Sequence, residues 1–260
     1  MTAATGQAQA TRDAPDPRWF TGEPEHPPRC WFLCFPHAGA GAAGYLRLAK
    51  MLPPGIALRV AQLPGREGRF REPPYRDVRE LARDMAPAVE SMASRPVVLF
   101  GHSLGAIAAF EVAREMRRLG LPPPAHLYVS GRQAPHVGMR GRATWNLSDE
   151  ALVAALRELG GTPETVLGDP ELFALLAPAL RADLEMNERY EYAPAESLPT
   201  AITGFGAGCD PRAAPGEVAA WADHTTGRFA FVPVDGGHFA LLDRPRLLMD
   251  RVLTDDKDWT

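Results

Sequence analysis

A Gly-x-Ser-x-Gly pentapeptide between an apolar run and an alanine-rich stretch constrains the fold of this chain more than any other feature. Residues 97–106 read Val-Val-Leu-Phe-Gly-His-Ser-Leu-Gly-Ala. The apolar run predicts a buried strand and the stretch after it a helix, with Ser103 at the sharp turn between them. Gly101 and Gly105 lack a Cβ atom, so the strand and the helix can approach closely. This order of elements is typical of a nucleophile elbow, which presents a reactive serine at the edge of a sheet.

Six apolar runs, including the one before Ser103, have the length and composition of strands buried on both faces. Helical patterns separate them. In residues 77–93 apolar side chains recur on one stripe, and the helix after the elbow is expected to end before Gly120. This alternation predicts an α/β fold with a mostly parallel central sheet and helices on both faces. The predicted strands cover residues 30–36, 56–62, 96–100, 125–130, 201–206 and 228–234.

Residues 145–192 interrupt the alternation with two helical patterns and no strand. Ser148 can cap the first pattern, which runs to the Gly160-Gly161 pair, and the second covers residues 169–188. We interpret this segment as a helical lid inserted over the sheet, because it directly precedes the strand expected to carry a catalytic acid. Extra packing helices are the alternative interpretation.

The rest of the chain divides into a core and a leader. Residues 30–144 and 193–260 are expected to form the core, and residues 1–29, which are polar and rich in proline, a largely flexible leader. The net charge of −4 and the absence of a basic stripe argue against nucleic-acid binding. No apolar run approaches the roughly 20 residues of a membrane span, and the N-terminus has no signal pattern, so we expect a cytoplasmic protein.

The three cysteines, Cys30, Cys34 and Cys209, have no metal-binding or redox spacing. Two cysteines four residues apart on one strand lie about 13 Å from each other, too far for a disulfide. We therefore interpret Cys30 and Cys34 as small buried apolar residues, and the sequence predicts no metal site.

A serine becomes a nucleophile when a histidine takes its proton and an acid orients that histidine. His238 is the candidate base, because it lies in a glycine-rich loop after the last predicted strand. Asp210 is the candidate acid, because it follows the strand at 201–206. Asp235 is its rival, but it shares the loop of His238 and would have to reverse direction to reach the imidazole.

A glycine-rich segment, residues 36–44, follows the first predicted strand. It contains a Gly-x-Gly-x-x-Gly match, which is also found in dinucleotide sites. The second strand, however, ends at Gln62-Leu63-Pro64 and not at an acid suited to a ribose. The alternative is an oxyanion loop, in which the backbone N–H groups of Ala38 and Leu104 stabilise a developing alkoxide. We favour the oxyanion loop and predict no bound cofactor.

Several segments together resemble one family, the type II (external, editing) thioesterases of polyketide and nonribosomal peptide assembly lines. The resemblance spans about residues 18–253, and it departs from the family pattern at Ala40, where a second glycine is common. The segments that carry it are Phe35-Pro36-His37-Ala38-Gly39, Gln62-Leu63-Pro64-Gly65-Arg66-Glu67, Gly101-His102-Ser103-Leu104-Gly105-Ala106, Ser130-Gly131-Arg132-Gln133-Ala134-Pro135, Leu180-Arg181-Ala182-Asp183 and Gly236-Gly237-His238-Phe239.

This resemblance implies an α/β-hydrolase fold with a helical lid. It also implies a serine thioesterase that releases stalled or misprimed acyl groups from the phosphopantetheine arm of acyl or peptidyl carrier proteins. For Arg66 and Glu67 it leaves two hypotheses open, a structural ion pair or contact with the phosphate of the arm. The alternative functions are a general carboxylesterase or lipase, an acyltransferase, and a non-catalytic binding protein with this fold.

Overall fold

A seven-stranded sheet forms the centre of the computed structural model, which describes residues 18–22, 24, 26–139 and 143–259. Strands β2 to β7 run parallel, and β1 pairs with β3 in the antiparallel direction. The order across the sheet is β1-β3-β2-β4-β5-β6-β7. The strands are β1 (Phe20–Thr21), β2 (Cys30–Phe35), β3 (Ile56–Ala61), β4 (Val97–His102), β5 (His126–Ser130), β6 (Ala201–Ala207) and β7 (Phe229–Val234). The predicted fold class is confirmed.

Eight α-helices and four 3-10 segments occupy the connections in the described part of the chain. The helices are α1 (Val78–Glu90), α2 (Leu104–Arg118), α3 (Asp149–Leu159), α4 (Glu164–Leu167), α5 (Pro170–Glu188), α6 (Pro215–Ala219), α7 (Ala240–Asp243) and α8 (Arg246–Asp255). The 3-10 segments are Ala42–Met51, Glu67–Arg69, Ala220–His224 and Asp256–Asp258. None of the described helices combines the length and the apolar composition that crossing a bilayer requires.

The side chains of β2 show how the sheet divides the core into two layers. All six are buried, and they alternate between the two faces as the period of a strand requires. One face packs against α1 and α2, and the other against the 3-10 segment Ala42–Met51 and α8. The first layer receives Trp31, Leu33 and Phe35, and the second receives Cys30, Phe32 and Cys34. The two cysteines are thus buried free thiols, and burial raises the pKa of Cys30 to about 12.

The sequence analysis did not place β1, which lies inside the segment expected to be a leader. Trp19 and Phe20 are both buried. The ring of Phe20 meets that of Phe35 edge-on, and the guanidinium of Arg69 lies 4.4 Å from the centroid of the Trp19 ring. The backbone of this short strand thus pairs with β3, and two buried aromatic side chains anchor it to Phe35 and Arg69, although its neighbours in the sequence are polar. Residues 1–17, the larger part of the expected leader, lie outside the described residues.

The order of the strands in the sheet indicates where the candidate site lies. From β2 the chain moves to β3 on one side and then returns to β4 on the other, so the loops after β2 and β4 leave the sheet in opposite directions. Ligands of open parallel sheets bind in the crevice at such a switch point, at the carboxyl ends of the strands. The glycine-rich loop after β2 and Ser103 after β4 both lie there.

The segment 145–192, called here the helical insertion, contains α3, α4 and α5 between β5 and β6. Ser148 caps α3 as predicted, since its hydroxyl accepts a hydrogen bond from the Ala151 N–H. The helices of the insertion share their own apolar cluster, which includes Leu152, Leu167 and Phe173. Whether this unit acts as a lid remains a prediction.

At the amino-terminal edge of the sheet, far along the strands from Ser103, a buried polar cluster anchors α8. Tyr128 donates a hydrogen bond of 2.9 Å to Asp255, and His126 shares one of 2.9 Å with Thr203. Burial lowers the pKa of His126 to about 4, so this imidazole is neutral in the folded protein at neutral pH. The charged groups around it are Asp255, Arg251, Arg228 and Asp258.

The lowered pKa of His126 predicts that the folded protein is less stable at acid pH. The unfolded chain protonates His126 near pH 6.5, whereas the folded protein does so only near pH 4, so the unfolded state binds more protons in between. The contribution of this group to the free energy of unfolding should therefore fall by about 2–3 kcal/mol from pH 7.5 to pH 4.5. Urea unfolding of the wild type and of His126→Gln at both pH values measures it. An equal pH dependence in the two proteins would contradict this assignment.

Candidate active site

Ser103 occupies a strained turn between β4 and α2. Its backbone has φ 55° and ψ −118°, a region that residues with a side chain rarely adopt. The strain persists because the surrounding backbones are packed closely. A Cβ atom on Gly101 would lie 2.1 Å from the Gly105 carbonyl oxygen, and one on Gly105 would lie 1.9 Å from the Phe35 carbonyl oxygen. The nucleophile elbow is present as the sequence predicted, and only glycine fits at these two positions.

Asp210 and His238 meet beside this turn. The Nδ1 atom of His238 lies 2.9 and 3.0 Å from the two carboxylate oxygens of Asp210, and both side chains are buried. One of those oxygens also accepts a hydrogen bond of 2.8 Å from the Arg212 N–H, which fixes the carboxylate. The rival acid, Asp235, is exposed to solvent. The structure thus pairs the predicted acid, Asp210, with the predicted base, His238, whereas Asp235 lies at the surface.

Ser103 and His238 line the same small cavity, which has a volume of about 40 Å³. No hydrogen bond joins their side chains within the described residues. Because Nδ1 is engaged by Asp210, the Nε2 atom is the one left for the serine hydroxyl, which can rotate about its Cα–Cβ bond. Catalytic hydrogen bonds are often long before substrate binds. The roles of the three residues remain predictions, and their placement supports them.

The two predicted oxyanion donors are Leu104, directly after the serine, and Ala38, in the loop after β2. Leu104 is the first residue of α2, so its N–H has no acceptor inside the helix. Ala38 lies in the turn after β2 and lines the cavity with Ser103, and its N–H donates to no atom of the residues that the structure describes. Both N–H groups are therefore free to stabilise negative charge that develops in the cavity.

A buried ion pair holds the loop that carries Ala38. Asp183, on α5, accepts two hydrogen bonds from the Arg66 guanidinium, of 2.6 and 2.8 Å, and a third of 2.8 Å from the Gly39 N–H. Arg66 also donates to the Ala40 carbonyl oxygen at 3.1 Å. Since Gly39 directly follows Ala38, this pair fixes the backbone next to the proposed oxyanion donor. The helical insertion is tied to the site through it.

Glu67 supports the next part of the same loop. Its two carboxylate oxygens accept hydrogen bonds of 3.0 Å from the N–H groups of Ala42 and Ala43, at the start of the 3-10 segment Ala42–Met51. Of the two hypotheses for Arg66 and Glu67, the structure thus favours a structural ion pair. The partner of Arg66, however, is Asp183 and not Glu67.

Sequence reasoning left Asp183 without a role, although a signal was available. Asp183 follows Leu180 by three positions and precedes Leu184, so it lies close to the apolar stripe of α5, where a charge needs a buried partner. Which cation provides that partner could not be read from the sequence, because Arg66 is 117 positions away.

Two further histidines pack around His238. The ring centroid of His102 lies 4.9 Å from that of His238, and its Nδ1 shares a hydrogen bond of 2.8 Å with the Ser130 hydroxyl. His37 is joined to the Tyr45 hydroxyl at 2.6 Å, and burial lowers its pKa to about 3. Burial also lowers the pKa of His102 well below its ordinary value. Both rings are therefore neutral at physiological pH, and His102 packs against His238 while His37 packs against His102.

A second, larger space adjoins the cavity of Ser103. We call the 40 Å³ cavity with Ser103 the reaction cavity, and the adjoining space of about 380 Å³ the outer cavity. The two share Ala38, Leu180 and Phe239 among their lining residues. Exposed residues form the rim of the outer cavity, namely Gly44, Arg47, Gly161, Pro163 and Asp243. A ligand that enters at this rim would reach Ser103 past Phe239.

We predict that Asp183→Asn weakens both the fold and the reactivity of Ser103. Removing one partner of a buried ion pair leaves the other charge uncompensated, which costs about 3–5 kcal/mol. The labelling of Ser103 by a fluorophosphonate probe should slow, because the loop of Ala38 loses its anchor. Chemical unfolding and labelling rates measure the two effects.

The matched control is Glu164→Gln, which breaks the exposed Arg157–Glu164 ion pair of the same insertion. This variant should unfold and react like the wild type. Labelling of Asp183→Asn at the wild-type rate, under conditions where it is folded, would refute the positioning role.

Known thioesterases are similar to this chain over most of its length. The family model of the thioesterase domain matches residues 32–255. The thioesterase PikA5 of Streptomyces venezuelae is 39% identical over 213 residues, which cover 82% of this chain and 75% of that protein. RedJ, a thioesterase from the prodiginine biosynthetic pathway of Streptomyces coelicolor, is 40% identical. Its structure has a TM-score of 0.82 and covers 88% of this chain and 92% of its own.

BorB, the type II thioesterase from the borrelidin biosynthetic cluster, is 38% identical to this chain. Its structure has a TM-score of 0.83, with 91% of this chain and 96% of that chain covered. The resemblance found in the sequence is thus confirmed over most of the molecule. The chain belongs to the thioesterase family and is a hydrolase that acts on thioester bonds.

Proposed function

We propose that this thioesterase hydrolyses acyl groups from the phosphopantetheine arm of acyl or peptidyl carrier proteins, as an editing enzyme of polyketide or nonribosomal peptide biosynthesis. The observation that carries the proposal is the buried Asp210–His238 pair beside Ser103, in a chain of the thioesterase family. Two of its structural relatives support the pathway class, namely the type II thioesterases BorB, from the borrelidin biosynthetic cluster, and YbtT, from the yersiniabactin NRPS/PKS pathway. The carrier protein as partner is part of the proposal.

The mechanism follows from the placement of these residues. The Ser103 hydroxyl attacks the thioester carbonyl and transfers its proton to Nε2 of His238, while Asp210 stabilises the imidazolium through Nδ1. The tetrahedral oxyanion accepts hydrogen bonds from the N–H groups of Ala38 and Leu104. The C–S bond then breaks, and the thiol of the arm leaves with the proton of His238. An acyl-serine remains.

The second half of the reaction uses the same groups with water. His238 takes a proton from a water molecule, whose oxygen attacks the acyl-serine carbonyl, and the oxyanion again forms beside Ala38. Collapse of this intermediate releases the carboxylic acid and returns the proton to Ser103. The chemistry needs no cofactor, and we expect it to take place in the cytoplasm.

In this proposal the two cavities bind the two parts of the substrate separately, the phosphopantetheine arm in one and the acyl group in the other. The arm is long and thin, and of these two cavities the outer one has the volume to hold a stretch of it. The acyl group then occupies the reaction cavity beyond Ser103. With the carrier outside the rim, movement of the helical insertion would control access.

We expect Ser103→Ala to lower the turnover of an acyl-carrier thioester by up to ~10⁶-fold, because the nucleophile is lost. Asp210→Asn should lower it by about 10⁴-fold, because the imidazole is then held in the wrong tautomer. Release of the acid, followed by mass spectrometry, measures both.

The control is Asp235→Asn, which alters the exposed rival acid in the loop of His238 and should leave turnover near that of the wild type. Near-full activity of Asp210→Asn would point to another acid. Hydrolysis of a matched oxygen ester faster than the carrier thioester would favour a general esterase, and transfer of the acyl group to an alcohol or amine would favour an acyltransferase.

A further inference from the structure

A buried tyrosine fixes the tautomer of His37. The Tyr45 hydroxyl oxygen accepts a hydrogen bond of 3.2 Å from the His37 backbone N–H, and it lies 2.6 Å from Nδ1 of the same residue. No other group among the described residues accepts the hydroxyl proton, so the phenol donates this proton to Nδ1. The ring proton of the neutral imidazole is therefore on Nε2.

The imidazole of His37 stays neutral throughout the reaction. Burial lowers its pKa to about 3, and the charges of His238 and Arg66 act in the same direction. Protonation of His238 during catalysis therefore makes a second proton on His37 still less favourable. Tyr45 and burial together leave His37 with a single ring donor, the Nε2–H group.

This donor is open to the two cavities. Nε2 of His102 is buried without a hydrogen-bond partner, whereas Nε2 of His37 is not enclosed in this way. His37 is only partly buried, and it lines both the reaction cavity and the outer cavity. Its Nε2–H group donates to no oxygen or nitrogen of the part of the chain that the structure describes. The ring of Phe239 meets it edge-on at 4.9 Å, but an aromatic face is a weak acceptor, so a ligand oxygen can take this hydrogen bond.

The loop and the ring of Phe239 place His37 beside the bond that is cleaved. The peptide bond between His37 and Ala38 carries the N–H group predicted to stabilise the oxyanion. The Phe239 ring contacts the His37 ring at 4.9 Å and the His238 ring at 5.0 Å. Of the described residues that line both cavities, His37 and Thr162 have polar side chains. With the acyl group in one cavity and the arm in the other, the C–S bond lies at this junction.

The pantetheine arm has one strong acceptor close to its sulfur. Two methylene groups separate the sulfur from an amide, and the carbonyl oxygen of this amide accepts hydrogen bonds. The four bonds from the sulfur to the amide carbonyl carbon span about 5 Å, which is similar to the reach of a histidine side chain. The thioester sulfur itself is a weak acceptor. The first strong acceptor that a bound arm brings to the junction is therefore this carbonyl.

We propose that the Nε2–H group of His37 donates a hydrogen bond to the first amide carbonyl of the pantetheine arm, so that the enzyme recognises the leaving group next to the thioester. This assignment rests on the proposed function, because it places the arm in the outer cavity. The contact exists before and during cleavage of the C–S bond, so it favours pantetheine thioesters over thioesters of simple alkyl thiols.

The test uses three butyryl thioesters whose leaving groups have the same length. N-acetylcysteamine carries the amide of the arm, 5-mercaptopentan-2-one keeps the carbonyl but has a methylene group in place of the N–H, and 1-pentanethiol has neither. Each kcat/KM is divided by the rate of hydroxide hydrolysis of the same thioester, which removes differences in intrinsic reactivity. The amide-to-pentyl and ketone-to-pentyl ratios are then compared between the wild type and variants.

His37→Phe keeps a ring at this position and removes the donor, so it should lower both ratios by about 3- to 10-fold, as expected for a neutral hydrogen bond. His37→Gln, whose amide carries both an acceptor and a donor, should retain part of the preference. The matched control, His26→Phe, changes an exposed histidine before β2 and should keep the wild-type ratios. If His37→Phe does not fold, Tyr45→Phe decides, because it releases the tautomer and should lower both ratios.

An equal loss with all three thioesters would show that His37 only positions the loop of Ala38, and it would overturn the proposal. A fall of the amide ratio with an unchanged ketone ratio would assign recognition to the amide N–H and overturn it as well. Unchanged ratios in the deciding variant would have the same consequence. The proposed function fails by a different result, namely hydrolysis of an acyl-carrier thioester no faster than by Ser103→Ala.

Discussion

The close contact of three backbones around Ser103 is the constraint on which the rest of the site depends. The serine is held at a positive φ because Gly101 meets the backbone of Gly105, which in turn meets the carbonyl of Phe35 at the end of β2. The same contact brings the glycine-rich loop next to the start of α2, so that Ala38 and Leu104 can face one point. The position of Ser103 and that of the two predicted oxyanion donors are therefore set by a single packing arrangement.

The helical insertion also helps to hold the loop after β2 in position beside Ser103. Asp183 on α5 accepts hydrogen bonds from Arg66 and from the Gly39 N–H, so part of the insertion is bonded directly to the loop that carries Ala38. The helices α3 and α4 meet α5 through apolar side chains. The helix α5 is therefore fixed to the rest of the protein by an ion pair, whereas α3 and α4 are held on α5 by hydrophobic contacts. Hydrophobic contacts are non-directional, so they tolerate small displacements better than hydrogen bonds do.

The sequence predicted the elements better than the contacts between them. Each of the six predicted strands is present, with its ends within two residues. Five of them, β2 to β6, are almost fully buried, and such strands have a strong apolar signal. The sixth, β7, is only partly buried at the edge of the sheet, although its sequence is equally apolar.

The elbow and the Asp210–His238 pair could also be predicted, because the loops that follow parallel strands meet at one edge of the sheet. The order of these loops in the sequence therefore limits which residues can come together. The Arg66–Asp183 pair could not be predicted, because its two side chains are 117 positions apart in the sequence. The strand β1 was missed because two residues are too few for a periodic pattern.

Part of the lining of the two cavities comes from side chains that contact neither the Asp210–His238 pair nor the loop of Ala38 through hydrogen bonds. Leu156 and Leu159 on α3, and Thr162 after it, contribute to the cavities without hydrogen bonds to the site. Substitutions at these positions can change the volume offered to a substrate while the charged contacts of Arg66, Asp183 and Asp210 stay intact. The preference for one acyl group over another can thus change during evolution through substitutions at these lining positions. The charged residues of the site need not change for this to happen.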